Sequence, residues 1–307
     1  MHLFQNQAGI NITNSKLQIV EIVYKDKNFY LENVDEEHFE SLFDLSLKES
    51  KLIFILQNSF NQLIKRKTLN SLQVSFTLPH NFFKIIEIPY DKTLVKSDLN
   101  EQIKWELSIL YPENDPDDFV TQFIEVDKSI HRKDNSLIII SLYKKHLEVI
   151  HKFCVRNNLS LKFVDYAHIA SNAIIKLENP KLTEGTYLSF YITDSAISAM
   201  LSDGSHPIFL SVKKIDESFL LSKYYDDIVE KIETFDDAFG ALRKVYVSGN
   251  NVSEQSVDEL AMRFNVQVKI ANPFNRIKIN PMLYENPLFV ERYNSFTAAA
   301  GIAMRMI

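Results

Sequence analysis

Glycine is scarce in this chain: six of 307 residues, where soluble proteins carry about 7%. Loops that cradle a phosphate need glycine, because backbone without Cβ can take positive φ and bring its N–H groups against the anion. The scarcity therefore weighs against an enzyme built on glycine-rich loops and favours a binding scaffold. Cysteine is nearly absent as well. The single Cys154 excludes an internal disulfide and a thiolate metal cluster. Its place one turn from Ile150 and two from Leu147, on an apolar helical stripe, reads as a core thiol rather than a nucleophile. No apolar run approaches the roughly 18 residues of a membrane span. The opening MHLFQNQAGI lacks the charged and apolar regions of a signal peptide. Basic excess is missing too: net charge is −6 and the pI about 5.8, so neither nucleic acid nor direct membrane insertion is expected. The densest basic run, Lys65-Arg66-Lys67, falls at a predicted helix end, where cations complement the carbonyl dipoles. The eight histidines, among them His80, His146, His151 and His168, show no HExxH or paired spacing, so no metal site is expected. A Gly-x-Ser-x-Gly elbow and a Walker loop are also lacking.

What the chain does have is core material. Hydrophobic residues make up 46% and aromatics 12%, enough for two α/β units in a chain of this length. Residues 17–24 and 28–34 are β-rich runs around the turn Lys25-Asp26-Lys27, directly after Gly9-Ile10-Asn11-Ile12-Thr13. Apolar spacing predicts a helix over 36–46 through Phe39, Leu42 and Phe43, and a longer one carrying Leu52, Ile55, Leu56, Phe60, Leu63 and Ile64. Strands return on either side of Pro79-His80-Asn81. Ser97 or Asp98 can then cap a helix whose stripe is Ile103, Leu107 and Leu110 and which stops before Pro112. The acidic loop 112–118 lacks the glycine and terminal Glu of an EF-hand and reads as solvated. A strand at 137–143, a helix at 144–156, a strand at 161–166 and a helix at 167–177 follow, and the polar stretch 178–185 reads as a domain boundary.

The second half reopens with strands at 187–193 and 196–201 and the turn pair Asp203-Gly204, repeating the theme of residues 9–34. Next come a helix over about 216–234, the strand KVYVSG, a helix from Val252 to Phe264, the short strand VQVKI and a final helix over 294–306. The small residues Ala298-Ala299-Ala300-Gly301 permit close packing of that last helix. It lacks the cationic and bulky apolar faces of a membrane-surface helix.

Five ordered features in the middle of the chain form a recognisable series: Ile88-Pro89, Gln102-Ile103, Glu106, Tyr111-Pro112 and Phe123. Near the C-terminal end stand Val247-Ser248-Gly249, Pro273-Phe274 and Ala300-Gly301-Ile302-Ala303-Met304-Arg305. In this order they resemble the PilM family, actin-like cytoplasmic proteins of type IV pilus assembly, over nearly the whole chain. Cousins are the cell-division protein FtsA and the cytoplasmic part of GspL. The resemblance implies an α/β, two-lobe actin-like (ribonuclease H-like) fold. The first lobe would take residues 1–180 with an inserted subdomain at about 72–160. The second would take 181–307, with the last helix packing back toward the first.

Actin-like ATPases hold ATP between two hairpins, whose glycine turns donate N–H groups to phosphate and whose acidic residues orient magnesium. Measured against that pattern, the first hairpin is degenerate. It reads Gly9-Ile10-Asn11-Ile12-Thr13-Asn14-Ser15: Asn11 stands where the carboxylate belongs, and Thr13 where the turn glycine belongs, a β-branched residue unsuited to positive φ. The second reads Tyr191-Ile192-Thr193-Asp194 and loses both positions again. Asp194 could be a displaced carboxylate, although a surface turn residue is favoured. The adenine-side loop keeps Gly249 and has Asn250, which tolerates the left-handed region, in place of a second glycine. Ser15 and Lys16 could still contact phosphate, with Lys16 as an exposed strand-start cation the favoured alternative.

The resemblance implies a cytoplasmic scaffold, peripheral at the inner membrane, that grips the N-terminal tail of a bitopic PilN-like protein and hydrolyses no ATP. No cofactor and no catalytic residue are expected. The tail would lie between the core of the first lobe and its insertion, bordered by segments 83–89 and 98–110. Ile86, Ile88 and Ile103 would line the groove, and Trp105, the only Trp, is a candidate anchor or a second core residue. Two alternatives stand beside this: an active Mg-ATP-dependent ATPase or kinase using Asp194, and a GspL-like secretion module, which would normally continue into a transmembrane helix beyond a point like Ile307. Self-association is open.

Overall fold

The computed structural model describes residues 6–178, 185–204, 206–235 and 237–305. In chain order the first lobe begins with β1 (Gln7–Ile12), β2 (Lys16–Lys25), β3 (Asn28–His38), α1 (Glu49–Arg66) and β4 (Gln73–Leu78). An inserted unit follows: β5 (Phe83–Pro89), α2 (Lys96–Leu110), β6 (Phe119–Val126) and β7 (Ser136–Tyr143). The lobe resumes with α3 (Lys144–Arg156), β8 (Ser160–Tyr166) and α4 (Ala167–Glu178). The second lobe holds β9 (Thr186–Ile192), β10 (Ala196–Asp203), β11 (His206–Lys214), α5 (Leu221–Glu233), α6 (Ala238–Ala241), β12 (Leu242–Ser248), α7 (Glu254–Phe264) and β13 (Gln267–Ile270). The chain then returns to the first lobe with β14 (Lys278–Ile279), α8 (Pro287–Glu291) and α9 (Thr297–Ala303).

The first lobe is a six-stranded sheet in the order β14-β3-β2-β1-β4-β8, the second a five-stranded sheet in the order β11-β10-β9-β12-β13. In each, an antiparallel meander, β1–β3 or β9–β11, is extended by parallel strands, so the two lobes repeat one plan. β4 and β8, near the margins of the expected 72–160 insertion, pair in the large sheet. The separate three-stranded sheet β5-β7-β6 runs from 83 to 143.

α1 and α3 cover one face of the first sheet, with Leu52, Leu56, Phe60, Phe153 and Cys154 packed on Ile10 and Phe76. The Cys154 thiol is wholly buried, and burial pushes its pKa up to about 12, which removes it as a nucleophile. α9 lies on the other face, its Ala299, Ala300 and Ala303 against Val20 and Ile174. Two glycines make this approach possible: a Cβ on Gly9 would stand 1.9 Å from the Ala299 carbonyl oxygen, and one on Gly301 1.9 Å from that of Ala170.

Several expected elements differ. No helix forms over 36–46. β3 stays paired with β2 as far as Lys16 opposite His38, and the chain then folds over the hairpin through Phe39 N–H to Ser15 C=O and Phe43 N–H to Asn14 C=O. Phe43 is buried and Leu42 is 66% exposed. α2 begins at Lys96 after Val95, ahead of the expected Ser97 or Asp98 cap, and its buried stripe is Leu99, Ile103 and Leu107, with Leu110 exposed. α5 starts at Leu221 rather than near 216, because the Asp216 carboxylate accepts the Ser218 N–H in a turn. α9 is shorter than 294–306, its first turn being a 3-10 helix over Tyr293–Phe296. The end of that range at 306, and most of the boundary stretch 178–185, lie outside the described residues. At the end of α1, Arg66 meets Asp35 at 2.8 Å and Glu37 at 2.5 Å, so this member of the basic run is held by carboxylates of β3. Among the described residues no helix is long and apolar enough to cross a membrane.

Candidate functional site

Two concavities flank the first lobe. One is the cleft between the lobes, where the β1–β2 and β9–β10 turns face each other. In the first turn the Thr13 hydroxyl accepts the N–H groups of Ser15 and Lys16 at 3.2 and 3.0 Å and donates to the Lys16 carbonyl at 3.2 Å. In the second, the Thr193 hydroxyl accepts the Ala196 N–H at 3.0 Å and donates to its carbonyl at 2.9 Å. Neither threonine takes positive φ, so the strain expected from a β-branched residue there is avoided by a turn closed through a side chain. These bonds occupy the N–H groups of Ser15, Lys16 and Ala196, which are then not offered to a phosphate.

Lys16 is neither exposed nor open to a ligand. It is 2% exposed, with Nζ 2.9 Å from Glu36 Oε2. Glu36 also accepts the Gln18 amide at 3.0 Å and the Arg292 guanidinium at 2.6 Å. Burial alone would raise the Glu36 carboxyl, but the Lys16 ammonium, the Gln18 amide and Arg292 outweigh it and hold the group below the ordinary carboxylate range. Asn11, 1% exposed, donates to Gln18 Oε1 at 2.8 Å and reaches the Tyr191 hydroxyl at 3.5 Å, while its Oδ1 accepts from Thr77 at 2.8 Å. Tyr191 stacks at 6.0 Å on His168, whose ring nitrogens lie 2.7 and 3.1 Å from the hydroxyls of Ser198 and Ser189. Burial pushes His168 down to about 3, so the ring is neutral.

In the loop after β12, Gly249 has φ 114° and a Cβ there would stand 2.0 Å from the Ile192 carbonyl oxygen. Its carbonyl and N–H are both taken by Asn294, at 3.0 and 3.1 Å. Asn250 donates to the Asp194 carboxylate at 2.9 Å. The cavity left among these residues and Asn14 is about 230 Å³, below the roughly 300–1,000 Å³ of small-molecule sites. Engaged turn donors, an amide and a phenol at the two expected carboxylate positions, and so small a space do not match a magnesium triphosphate. Among the described residues no His, Cys, Asp and Glu side chains group as a metal site would require.

The second concavity lies between the insertion and the first lobe and measures about 520 Å³. Its walls are Val120, Ile140 and Leu142 of the inserted sheet on one side, and Leu161 and Phe163 of β8 on the other. β8 is the last strand of the large sheet, so its outer edge has no strand partner among the described residues. Arg305 closes one end, paired with Asp165 and lying 4.8 Å above the Phe163 ring. Burial raises the Asp165 carboxyl, opposed by Arg305 and the Tyr166 N–H.

The four residues expected to line this groove stand elsewhere. Ile88 and Ile103 are buried in the insertion's own core with Leu99, Leu107, Leu137 and Ile139, and Ile86 packs against the same cluster. Trp105 is 60% exposed on the outer side of α2, away from the groove. The reason is strand parity: alternate residues of a strand face opposite sides, and α2 covers the side carrying Ile86 and Ile88. Segment 83–89 does reach the groove, but through Phe83. The same alternation picks out Ile140 and Leu142 on the groove side of β7, against Leu137 and Ile139 on the helix side. That two-sided apolar pattern was the available signal.

No family model matches the sequence, and no curated protein matches it. Solved structures do. A chain of the PilM-PilN type IV pilus biogenesis complex superposes with a TM-score of 0.73 at 14% identity, covering 97% of this chain and 98% of that one. A protein of Bacteroides thetaiotaomicron with an actin-like ATPase fold and unknown function gives 0.53 at 12% identity, covering 98% and 96%. The ethanolamine utilization protein EutJ of Carboxydothermus hydrogenoformans gives 0.53 at 8% identity, covering 97% and 89%. At such identities the likeness concerns the fold, and it is the two-lobe actin-like fold that the motifs implied.

Proposed function

We propose that this chain is a nucleotide-independent scaffold of a type IV pilus or related envelope machine, and that its groove between the first lobe and the insertion holds the cytoplasmic N-terminal tail of a PilN-like inner-membrane protein. The observation that carries this reading is the groove itself, a mainly apolar concavity of about 520 Å³ with Gln122, Lys162, Asp165 and Arg305 in its walls, flanked by the outer edge of β8. An extended segment can be held there by main-chain hydrogen bonds to the edge and by apolar pockets for alternate side chains. The full-length superposition on a chain of the PilM-PilN complex supports the assignment to a pilus or secretion machine. In this reading the protein is cytoplasmic and reaches the membrane only through its partner.

The interlobe cleft takes a structural part. The Thr13 and Thr193 turns and the Lys16–Glu36 pair each brace one lobe at the cleft, and the Asn11–Tyr191 contact joins the two lobes there. The test is to titrate the purified chain with synthetic tail peptides from the bitopic inner-membrane proteins of the same cell, and in parallel with Mg-ATP by calorimetry. Binding of one tail with no ATP heat is expected. Absence of any tail binding at high micromolar concentration, or micromolar ATP binding with turnover, would overturn the reading.

A further inference from the structure

Along most of this surface the large apolar side chains that are at least half exposed stand singly in the chain, which is ordinary for a folded protein. At two places they come in threes. Trp105, Ile109 and Leu110 share the second half of α2, and Met282, Tyr284 and Val290 fall between β14 and the end of α8. Grouped exposure of this kind marks an interaction surface.

The two patches sit at opposite ends of the first lobe. β14 is the outermost strand on one side of the large sheet and β8 on the other; beyond β8 come the groove, the inserted sheet and finally α2, with Trp105 on its outer side. Their charges are opposite as well. From Lys96 to Asp118 the chain has seven carboxylates and two cations, and among the described residues only Asp117 of the seven is ion-paired, to Lys104 at 2.5 Å. In the other patch Arg276, Lys278 and Arg292 outnumber Glu285 and Glu291. The register of Lys278 opposite Tyr30 brings the β2–β3 turn, with Lys27, alongside them.

We propose that the outer face of α2 in one copy of this chain docks on the 282–290 face of the next copy, head to tail. A second copy is the occupant because one chain carries both complementary halves, an apolar centre rimmed by acid and an apolar centre rimmed by base. The apolar centres supply affinity, and the rims set orientation. The two faces differ, so the contact is heterologous and repeats past the dimer, closing into a ring only where its rotation allows. Neither face contributes to the walls of the groove, so the inference stands apart from the tail-binding reading.

The experiment is sedimentation velocity of the full chain from low to high micromolar concentration. Trp105→Lys sets a cation against the basic rim, and Met282→Asp sets an acid against the acidic one. Both side chains are exposed, and unchanged melting temperatures show that both variants are folded. The parent is expected to pass beyond the dimer, with association weakened several-fold by added salt as the rims are screened. Each variant alone is expected to lose roughly tenfold or more in association. An equimolar mixture of the two should stop at the dimer, because each copy keeps one sound face. A parent that stays monomeric throughout gives the two faces to other proteins and overturns the proposal. So does self-association that survives either variant, that salt leaves unchanged, or that the mixture fails to restore.

Discussion

Thr13 and Thr193 hold the same position in hairpins of opposite lobes, and each hydroxyl accepts the N–H and caps the carbonyl of the residue three places on, Lys16 and Ala196. The local sequences are nearly identical, Ile12-Thr13-Asn14-Ser15 and Ile192-Thr193-Asp194-Ser195. The two hairpins thus share one side-chain closure at the same place in both lobes. The N–H groups of Ser15, Lys16 and Ala196 therefore face threonine oxygen inside the turns.

Replacing both threonines with valine keeps the shape and removes the bonds. Each turn is expected to lose about 1–3 kcal/mol, since backbone donors are left unpaired in a partly buried place. Urea denaturation measures this. The glycine version, Thr13→Gly with Thr193→Gly, frees the turn donors but leaves Tyr191 and the Lys16–Glu36 pair in the cleft. No Mg-ATP heat is expected from it, and micromolar binding by that variant would show that the turns alone block the site.

Gly9→Ala separates two meanings of a retained glycine. A phosphate-loop role predicts a stable protein with altered ligand binding. The packing role predicts lost stability, because the new Cβ would meet the Ala299 backbone oxygen at 1.9 Å and α9 cannot yield as a flexible side chain would. Overpacking of this kind costs at least about 1–3 kcal/mol. A fall of several degrees in melting temperature checks it.

How much of this was legible follows from which forces act locally. Hairpins, α1, α3 and the closing helix could be read because alternation and helical spacing record burial directly, as with Leu52, Leu56 and Phe60. The spacing of Phe39, Leu42 and Phe43 mimicked a helix because β3 pairs further than its apolar residues require, a tertiary effect. Lys16 read as exposed since nothing in its neighbourhood announces Glu36, twenty residues away across the sheet. The groove residues were missed by a single step of strand parity: Ile86 and Ile88 for Phe83, with Ile140 and Leu142 unremarked on the partner strand.

Glu36→Gln tests the buried network. It leaves the Lys16 ammonium beside an amide in a site 2% exposed, and breaking such a pair costs about 3–5 kcal/mol. The pH dependence follows from the lowered Glu36 pKa. Its stabilisation is complete above the ordinary value of 4.5 and is lost as pH falls through the lower folded value. Acid denaturation below about pH 4.5 should flatten in the variant relative to the parent.

His146 acts in a higher window. Burial against Phe82 and Tyr143 lowers it from 6.5 to about 4, so the folded protein holds a neutral ring that the unfolded chain protonates first. Stability present above pH 6.5 is then lost progressively as pH falls toward 4. His146→Phe should make that slope shallower by one histidine's share, with His168 and His80, also lowered by burial, supplying the remainder, while leaving the Glu36 transition in place. Urea midpoints taken at steps across the two windows distinguish the groups, and an unchanged slope in His146→Phe would clear His146 of the effect.

The groove and the outer face of α2 make opposite forecasts for partner binding. Phe163 lines the channel beneath Arg305, and Ile140 faces it from the inserted sheet, so Phe163→Ala and Ile140→Ala each remove apolar wall without touching the interlobe cleft. Loss of a buried side-chain contact at an interface centre costs about 1–2 kcal/mol or more, which reads as a roughly fivefold to thirtyfold or larger rise in the dissociation constant of the bound tail. Trp105→Ala, on the solvent side of α2, should change nothing in the same titration. A tail that binds Phe163→Ala normally and fails with Trp105→Ala would move the partner from the channel to the helix, because the two surfaces lie on opposite faces of the inserted sheet and one extended segment cannot occupy both.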